Sequence, residues 1–419
     1  MPTSASPSVR PSGQRPASMP WLIIVAGALI AMLTFGPRSA MGFFQLPILH
    51  DTGWDRSTFA LAMAIQNLAW GLGQPLFGAL ADKYGTGRVL TLSGLLYACG
   101  LILMSTAHSV PVLYLSGGVM VGLAVGAGSF GTILSAFARN VTPEQRSVAF
   151  GIGTAAGSAG MFLFAPLSQA LISTYGWSDS LVYIALLMLL VPVLAYPLRG
   201  NSSSGTQSQS EVKQTAGEAL REAFGHQSYL LLTSGFFVCG FQVAFITAHF
   251  PAYLGDIGIA PAYAVIAMAL IGFFNIIGSF GAGMIGQRYS KPYFLAYIYI
   301  ARSIAVTAFL LLPQTPVSVI VFAIVMGLLW LSTVPPTNGL VAIMFGTRHL
   351  GLLGGIVFLS HQVGSFLGVW MGGYLYDRFG SYDPVWWLGV ALGIFAAVVH
   401  WPIQEKPVDR GLLRPQPAE

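Results

Sequence analysis

The sequence predicts an all-α integral membrane protein with twelve transmembrane helices arranged as two parallel six-helix halves. Composition is the first observation behind this prediction: 55% of the 419 residues are hydrophobic, only 8% are charged, and the mean hydropathy is +0.71. So few polar side chains cannot cover the surface of a water-soluble globule of 44.5 kDa. The other two observations are a series of long apolar runs and an internal repeat.

The apolar runs are long enough to cross a membrane as helices. A hydrocarbon core of about 30 Å requires about 20 helical residues. The predicted helices are 21–46, 57–80, 88–107, 111–136, 147–172, 180–198, 228–254, 262–285, 292–312, 316–345, 350–375 and 385–402. The runs are continuously apolar, whereas the strands of a membrane barrel alternate polar and apolar residues. The sequence therefore predicts helices and not strands.

One long polar segment interrupts the helical region and separates six predicted helices from six. At the N-terminus, the Pro- and Ser-rich residues precede an apolar run that is too long for a cleaved signal peptide and lacks its small-residue cleavage site. The expected organisation is a disordered cytoplasmic tail at 1–19, six-helix halves at 20–198 and 227–403, a cytoplasmic linker at 199–226 and a cytoplasmic tail at 404–419.

The basic residues predict the orientation of the helices. Of the 19 Lys and Arg residues, 15 fall on the side that carries both termini, Arg56 and Arg378 fall on the other side, and two lie within predicted helices. Because basic loops stay in the cytoplasm, both termini are expected on the cytoplasmic side of a bacterial inner membrane. The pI of 9.2 then reflects loops that face anionic membrane lipids, and it requires no nucleic-acid partner.

The two halves of the chain resemble each other. An offset of 204 or 205 residues aligns three pairs of positions: Arg38 with Gln242, Pro47 with Pro251, and Gly78 with Gly283. A repeat of this kind predicts two structurally similar six-helix halves.

A short charged segment between the second and third predicted helices carries the family resemblance. Gly78, Asp82, Lys83, Gly85 and Arg88 resemble the signature loop of the major facilitator superfamily, a class of twelve-helix secondary transporters. Gly78 is expected to allow close helix approach, and the four other residues are expected to form a tight, solvated turn. The corresponding segment of the second half, 283–291, has Gln287 in place of the acidic residue.

Three ionisable side chains are assigned to the membrane interior: Arg38, Arg302 and His361. A charged side chain at this depth costs about 2.5–3.5 kcal/mol on insertion scales, so each one requires a reason. No Asp or Glu lies inside a predicted span. Two buried cations without buried carboxylates predict an anionic organic substrate.

Arg38 is the leading candidate for the substrate ligand. It shares one helical face with Thr34, Met41 and Gln45. The segment 37–44 resembles the first helix of the monocarboxylate porter family, in which a lysine stands at the position of Arg38. A guanidinium can hold a carboxylate with two hydrogen bonds. The alternative is an arginine near the outer helix end whose charged group reaches water.

His361 and Arg302 each have two interpretations. His361 is flanked by Ser360 and Gln362; it can hydrogen-bond the substrate and carry a proton at cellular pH, or it is satisfied by a neighbouring helix. Arg302 is a substrate ligand or a structural arginine bonded to backbone carbonyls. Further polar residues at the same depth are candidate substrate contacts, with interhelical hydrogen bonding as the alternative: Gln66, Asn67, Gln242, Asn275 and Trp330.

The whole chain resembles the bacterial branch of monocarboxylate porters and oxalate/formate antiporters, including the segment 372–382 at the outer end of the eleventh helix. It departs from these relatives at Asn275 and Ser279, where animal monocarboxylate porters have Asp and Arg, and at His361, where oxalate exchangers have lysine. The resemblance implies a secondary transporter of a small, monocarboxylate-like organic anion, coupled to a proton. An anion exchanger and an exporter of hydrophobic compounds remain alternatives.

The sequence contains no constellation of catalytic residues within its apolar runs, so an enzyme is not expected. Cys99 and Cys239 lie in separate apolar runs and indicate neither a redox nor a metal site. No cofactor or metal is expected, and the protein is expected to be a monomer.

Overall fold

The computed structural model describes residues 19–142, 145–199, 214–346 and 348–408. The first half contains helices α1 Trp21–Ser39, α2 Gln45–Thr52, α3 Arg56–Tyr84, α4 Thr86–Ser105, α5 Val110–Leu113, α6 Val121–Ala127, α7 Phe130–Asn140, α8 Arg146–Met188 and α9 Leu190–Leu194. Then follow α10 Ala216–Phe224, α11 Gln227–Asp256, α12 Pro261–Arg288, α13 Lys291–Leu311, α14 Pro316–Leu329, α15 Val334–Phe345, α16 Leu350–Phe379 and α17 Asp383–His400. The described residues contain no strand.

Helix α8 contains two membrane crossings. Gly176 has φ of 80°, a left-handed conformation that favours glycine, and it interrupts the helix. Directly after it, Ser178 donates to the carbonyl of Ser105 at 2.8 Å. At the far end of the same crossing, Arg199 lies against Gly87 at the start of α4. The segment after Gly176 therefore packs antiparallel to α4 and crosses the membrane a second time.

The number of crossings agrees with the prediction. Ten segments of the described chain are long and apolar enough to cross a membrane. One of them, Val148–Leu194, turns back at Gly176 and supplies two crossings, and α3, with 29 residues, supplies one more. The described residues thus form twelve crossings, and the all-helical membrane fold is confirmed.

The first and tenth predicted helices are each interrupted by a short segment. The first consists of α1, a 3₁₀ turn over Met41–Phe44 and α2, and Pro37, which lacks an N–H group, lies just before the break. The tenth is divided into α14 and α15, with residues 330–333 between them. Such breaks expose backbone groups that need partners inside the protein. Both lie near the polar residues that the sequence singled out.

The ends of the bundle form two faces. The signature-loop face carries the turn between α3 and α4, where Gly85 with φ of 91° is the only residue between the helices. The Arg56 face is the opposite end, where α3 begins at Arg56. At the signature-loop face, Asp82 lies 3.8 Å from Arg139 at the end of α7. The predicted tight turn is confirmed.

The two halves meet along α3 and α16 and along α8 and α12. Towards the Arg56 face, a Cβ added at Gly373 would lie 2.5 Å from Ala60. Midway, Gln362 Nε2 donates to the carbonyl of Asn67 at 2.9 Å. On the other seam, Asn275 Nδ2 donates to Ser158 Oγ at 2.9 Å. The halves are therefore in direct contact from the Arg56 face to the middle of the bundle.

The predicted tails, apart from residues 19 and 404–408, lie outside the described residues, as does the linker segment 200–213. The described part of the linker includes α10, which the sequence analysis did not predict. Thr215 caps this helix: its N–H donates to the Glu218 carboxylate at 2.7 Å, and this hydrogen bond holds the pKa of Glu218 below its usual value. A polar segment can thus form a helix when its first turn is capped.

Glycine at position 364 is expected to be required for the contact between α11 and α16. A Cβ there would lie 2.0 Å from the carbonyl oxygen of Phe237, a backbone atom that cannot move alone. We expect Gly364→Ala to destabilise the protein by about 1–3 kcal/mol, the usual cost of overpacking. The measurement is thermal unfolding in detergent. Gly355→Ala is the control, because a Cβ at that position of the same helix meets no atom within 4 Å; equal melting temperatures for the two variants would contradict the prediction.

Candidate functional site

Arg38 lies at the break in the first helix, three residues before Met41, where the 3₁₀ turn begins. Its Nη2 donates to Oδ1 of Asn67, and its guanidinium carbon lies 4.6 Å from the centre of the Trp70 ring, a cation–π contact. Asn67 is held in this orientation because its Nδ2 donates to the Met63 carbonyl at 2.8 Å. The guanidinium is therefore positioned by α3 and not by a carboxylate.

Donor groups near Arg38 lack acceptors. Nε of Arg38 and Nε1 of Trp70 are buried and have no hydrogen-bond partner among the described residues. The ion pairs of the described residues do not include Arg38 either. A half-buried cation with unused buried donors is suited to an anion, because buried polar groups are normally hydrogen-bonded. The site can thus accept a carboxylate without losing a structural ion pair.

Arg38 borders a small cavity between the two halves. The first half contributes Arg38, Met41, Met63, Gln66 and Asn67, and the second half contributes Ala244, Thr247, Ala248 and Val369. The cavity volume of about 20 Å³ suffices for about one water molecule. In this conformation the cavity is therefore contracted, and a substrate would require the halves to separate.

The face expected for the first helix is only partly present, because the helix is interrupted. Arg38 and Met41 both line the cavity. Thr34 instead packs against Gly128, where its Oγ1 would lie 2.8 Å from an added Cβ. Gln45 points away from the cavity and contacts the His249 ring, with 3.3 Å between Nε2 and Nδ1. A regular helical period does not continue through the 3₁₀ turn, so Gln45 leaves the predicted face. Thr34 precedes the turn and lies one helical turn from Arg38, but it does not line the cavity.

Arg302 is separate from this cavity and is fully buried. Its Nε and Nη2 donate to the carbonyl of Leu329 at 3.1 and 2.6 Å, and Nη2 also donates to the carbonyl of Trp330. These carbonyls belong to the break between α14 and α15. The geometry favours the structural interpretation of Arg302, because its donors satisfy the carbonyls that the break leaves without helical partners.

Three other candidates belong to the interior around Arg302 and not to the Arg38 cavity. Gln242 accepts from Arg302 Nη1 at 3.4 Å and donates to the Gly389 carbonyl at 2.9 Å. Trp330 is 2% exposed and supplies a backbone carbonyl. Asn275 accepts from the backbone N–H of Leu331 at 3.1 Å and donates to Ser158. These contacts favour the second interpretation of each residue, in which it hydrogen-bonds between helices and does not contact the substrate.

His361 does not line the cavity, and Gln362 lies between it and the cavity residue Asn67. Its Nδ1 is 2.9 Å from Oε1 of Gln362, and the amide nitrogen of Gln362 donates to the carbonyl of Asn67. Of the remaining candidates, Gln66 lines the cavity, although its Nε2 donates to the Gly117 carbonyl at 2.8 Å. The structure therefore brings Arg38, Gln66 and Asn67 together and connects His361 to them through Gln362.

The signature-loop residues occupy the helix ends around Gly85. Asp82 and Lys83 are in the last turn of α3, and Arg88 is in the first turn of α4. The expected close approach at Gly78 is absent from this conformation, since an added Cβ would meet no atom within 4 Å. Nothing in this structure therefore requires glycine at position 78.

The sequence analysis missed two buried histidines. His249 and His400 are both 0% exposed, so the assignment of only three ionisable groups to the membrane interior is wrong. His400 Nδ1 lies 2.7 Å from the Ala396 carbonyl in its own helix. Both residues lie inside predicted apolar runs, and counting histidines along each run would have found them.

A charged cluster at the Arg56 face was also missed. Arg56 binds Asp256 with two hydrogen bonds of 2.7 Å, from Nη1 and Nη2, and its Nη1 donates to the Tyr382 hydroxyl at 2.9 Å. Asp377 accepts from the backbone N–H groups of Arg56 and Ser57 at 3.2 and 2.7 Å. Arg56 belongs to the first half and the acceptors to the second, so the cluster closes this face. The sequence signal for this cluster was that Arg56 is one of only two basic residues assigned to that side of the membrane.

A bundle of twelve helical crossings in two contacting halves, with a cavity of polar and apolar side chains between them, is the architecture of a membrane transporter. The family model described as Major Facilitator Superfamily matches residues 24–369. The chain therefore belongs to the major facilitator superfamily, and it is a secondary transporter and not an enzyme.

Curated relatives are distant but cover most of the chain. The "Uncharacterized MFS-type transporter YcxA" of Bacillus subtilis is 23% identical over 87% of this chain and 90% of its own. "Monocarboxylate transporter 13" of Rattus norvegicus is 25% identical over 86% of this chain and 83% of its own. Among solved structures, a D-xylose-proton symporter aligns with a TM-score of 0.72 and 14% identity, over 93% of this chain and 100% of that chain. This structural similarity concerns the fold alone.

Arg302→Gln is expected to destabilise the protein. The substitution removes the donors to the carbonyls of Leu329 and Trp330, and each buried group left unsatisfied costs about 1–3 kcal/mol. Thermal unfolding in detergent should show a lower melting temperature than that of the wild-type protein. Arg38→Gln is the comparison and should unfold near the wild-type temperature. An Arg302→Gln protein of normal stability that fails only in transport would instead make Arg302 a substrate ligand.

Proposed function

We propose that the protein carries a small, monocarboxylate-like organic anion across the bacterial cytoplasmic membrane by alternating access, together with a proton. The observation that supports this most directly is the environment of Arg38, a cation at the interface of the halves that is held by an amide and an aromatic ring. A transported anion could neutralise this charge during the cycle. A permanent carboxylate partner would compete with it.

The contact between Arg38 and Asn67 defines how a carboxylate would bind. The amide oxygen of Asn67 occupies one donor of the guanidinium, and Nε has no partner. A carboxylate offers two charged oxygens to such a group, and charge-assisted hydrogen bonds are about twice as strong as neutral ones. The substrate would therefore displace Asn67 Oδ1 and use Nε as well.

The remainder of the cavity is suited to a short apolar tail. Met41, Met63, Ala244 and Val369 provide hydrophobic surface, and Thr247 provides one hydroxyl. Ligand sites of this kind combine apolar walls with a few polar groups that orient the ligand. Similarity to proteins named monocarboxylate transporters, at 25% identity or less, supports the same substrate class.

We further propose that the signature-loop face is cytoplasmic, together with both termini, and that the protein acts as a monomer with the halves bounded as the sequence predicts. Described basic residues that lie at or beside helix ends on this face support the orientation: Lys83, Arg88, Arg139, Arg146, Arg288 and Lys291. The Arg56 face would then be periplasmic. The Arg56 cluster would be the closure on that side.

Arg38→Gln should abolish transport of short carboxylates while leaving the protein folded, because the amide retains hydrogen bonding without the positive charge. Internal pH in dye-loaded proteoliposomes is measured after addition of a panel of short carboxylates, with protein-free liposomes as the baseline because weak acids cross bilayers unaided. Wild-type protein should add acidification above that baseline. Arg378→Gln is the matched control, since Arg378 is an exposed cation whose described hydrogen bond is to Tyr374.

Transport by Arg38→Gln at the wild-type rate would remove Arg38 from the substrate site. If the wild-type protein shows no acidification with any carboxylate, the proton-linked function is wrong. Counterflow of labelled oxalate or formate would then test the anion-exchange alternative.

His361→Gln should weaken the pH dependence of uptake, because His361 is connected to Asn67 through Gln362 and glutamine does not titrate. Initial uptake rates are compared between pH 5 and pH 8 in wild-type and variant proteoliposomes. Gln362→Ala is a useful companion, because it keeps the histidine and removes its connection to the site. A wild-type pH profile in His361→Gln would exclude His361 as the proton carrier.

A further inference from the structure

His249 on α11 lies between the Arg38 cavity and the Arg56 cluster, and it is 0% exposed. Its Nε2 is 2.8 Å from the carbonyl oxygen of Val369, a residue that lines the cavity. Its Nδ1 is 3.2 Å from the Tyr382 hydroxyl and 3.3 Å from Gln45 Nε2. One imidazole ring therefore connects the substrate cavity, the closed face and the first half of the protein.

The hydrogen bonds around His249 have a defined direction. A carbonyl oxygen only accepts, so Nε2 carries the proton, and Nδ1 of the neutral ring is an acceptor. The Tyr382 hydroxyl accepts from Arg56 Nη1 at 2.9 Å, and its own proton is free to point towards Nδ1. The chain of donation runs from Arg56 through Tyr382 and His249 to Val369. This order requires a neutral His249.

We propose that His249 is a proton-binding site and that its protonation releases the closure at the Arg56 face. A proton on Nδ1 removes the acceptor that Tyr382 uses. It also places a second positive charge near the Arg56 guanidinium, on a ring that is fully buried. Burying a charge is costly unless the charge is paired, so the protonated ring favours the conformation in which the halves separate and water reaches it.

The carboxylates near His249 are already engaged. The charged and titratable groups that face His249 or its hydrogen-bond partners are Arg56 from α3, Asp256 from α11, Tyr376 and Asp377 from α16, Tyr382 from the following turn and Asp383 from α17. Asp256 accepts both guanidinium donors of Arg56. Asp377 accepts two backbone N–H groups. Neither carboxylate hydrogen-bonds the imidazole in this conformation.

Gln45 is the hydrogen-bond partner of His249 from the first half. Its Nε2 faces Nδ1, while its Oε1 is buried and has no hydrogen-bond partner among the described residues. A proton on Nδ1 sets two donors against each other across the interface between the halves. Protonation therefore removes a contact between the halves as well as the hydrogen bond from Tyr382.

A cavity at the Arg56 face reaches Tyr382, the residue that hydrogen-bonds His249. A cavity of about 470 Å³ at this face is lined by Tyr382, Tyr376, Asp256 and Asp383, among others. Tyr382 borders this cavity and hydrogen-bonds His249. A proton from that side would thus reach the ring through the groups that its binding displaces.

This role of His249 rests on the proposed function only in that a proton accompanies the transport cycle. It identifies the residue through which the proton changes the conformation. Lower pH on the Arg56 side would open that face. This role is distinct from the one proposed for His361, which lies on the other side of the Arg38 cavity from the cluster.

The test measures the opening of the Arg56 face without any substrate. Spin labels are attached at Ser173→Cys on α8 and Ala262→Cys on α12, in a Cys99→Ser background, and distances are measured by double electron–electron resonance at pH 8 and pH 5. A one-proton switch changes the ratio of open to closed molecules by up to about tenfold per pH unit. The protein with wild-type His249 should gain a long-distance population at pH 5. His249→Gln should keep the same distribution at both pH values.

Two further variants separate the proposal from simpler explanations. His50→Gln removes an exposed histidine near the same face and should retain the full pH response. Tyr382→Phe removes the hydroxyl but keeps the ring, and it should reduce the response even if His249→Gln does not fold. A full pH response in His249→Gln, or in Tyr382→Phe, would overturn the proposal. Because no substrate is present, failure of the carboxylate assignment would appear in the uptake assay and not in these distances.

Discussion

The structure depends on how a positive charge is kept inside an apolar bundle. Each guanidinium in the membrane interior needs compensation, and Arg38 and Arg302 obtain it differently. Arg302 directs its donors to the carbonyls of a helix break, so it is part of the scaffold. Arg38 is held by one amide oxygen and one aromatic face and keeps an unused donor. The same side chain is thus structural in one half and available to a ligand in the other.

The Arg56 cluster shows the second constraint, which is that a closure must also open. The side chains of Arg56 and Asp256 are 11% and 26% exposed, and water that reaches the cluster when the face opens hydrates both charges and offsets part of the energy of their ion pair. Hydrogen bonds to Tyr382 and Asp377 share the closure. A closure made of several polar links that water can replace allows a ligand or a proton to change the balance.

The repeat explains where the halves communicate. Gln45 and His249 are 204 residues apart, the offset of the sequence repeat, and their side chains contact each other. Equivalent positions of the two first helices therefore meet at the interface, which is expected for halves related by an axis between them. Their residue types have diverged, and this divergence places a titratable ring opposite a neutral amide. The sequence pattern alone contains both residues but does not show that they touch.

The sequence by itself determined the membrane class and the twelve crossings, and it proposed Arg38 as the leading candidate for the site, because hydrophobic length and the cost of buried charge are local properties of the chain. It did not determine which polar residues share a cavity. The sequence predicts Gln242, Asn275 and Trp330 at a depth similar to that of Arg38, yet their tertiary contacts are with the helix break and the seams between helices. The tertiary structure also decided the partners of Arg56 and His249, since these contacts join residues 120 to 326 positions apart. Contacts between distant segments depend on how the helices break and pack, and this is why only the folded chain reveals them.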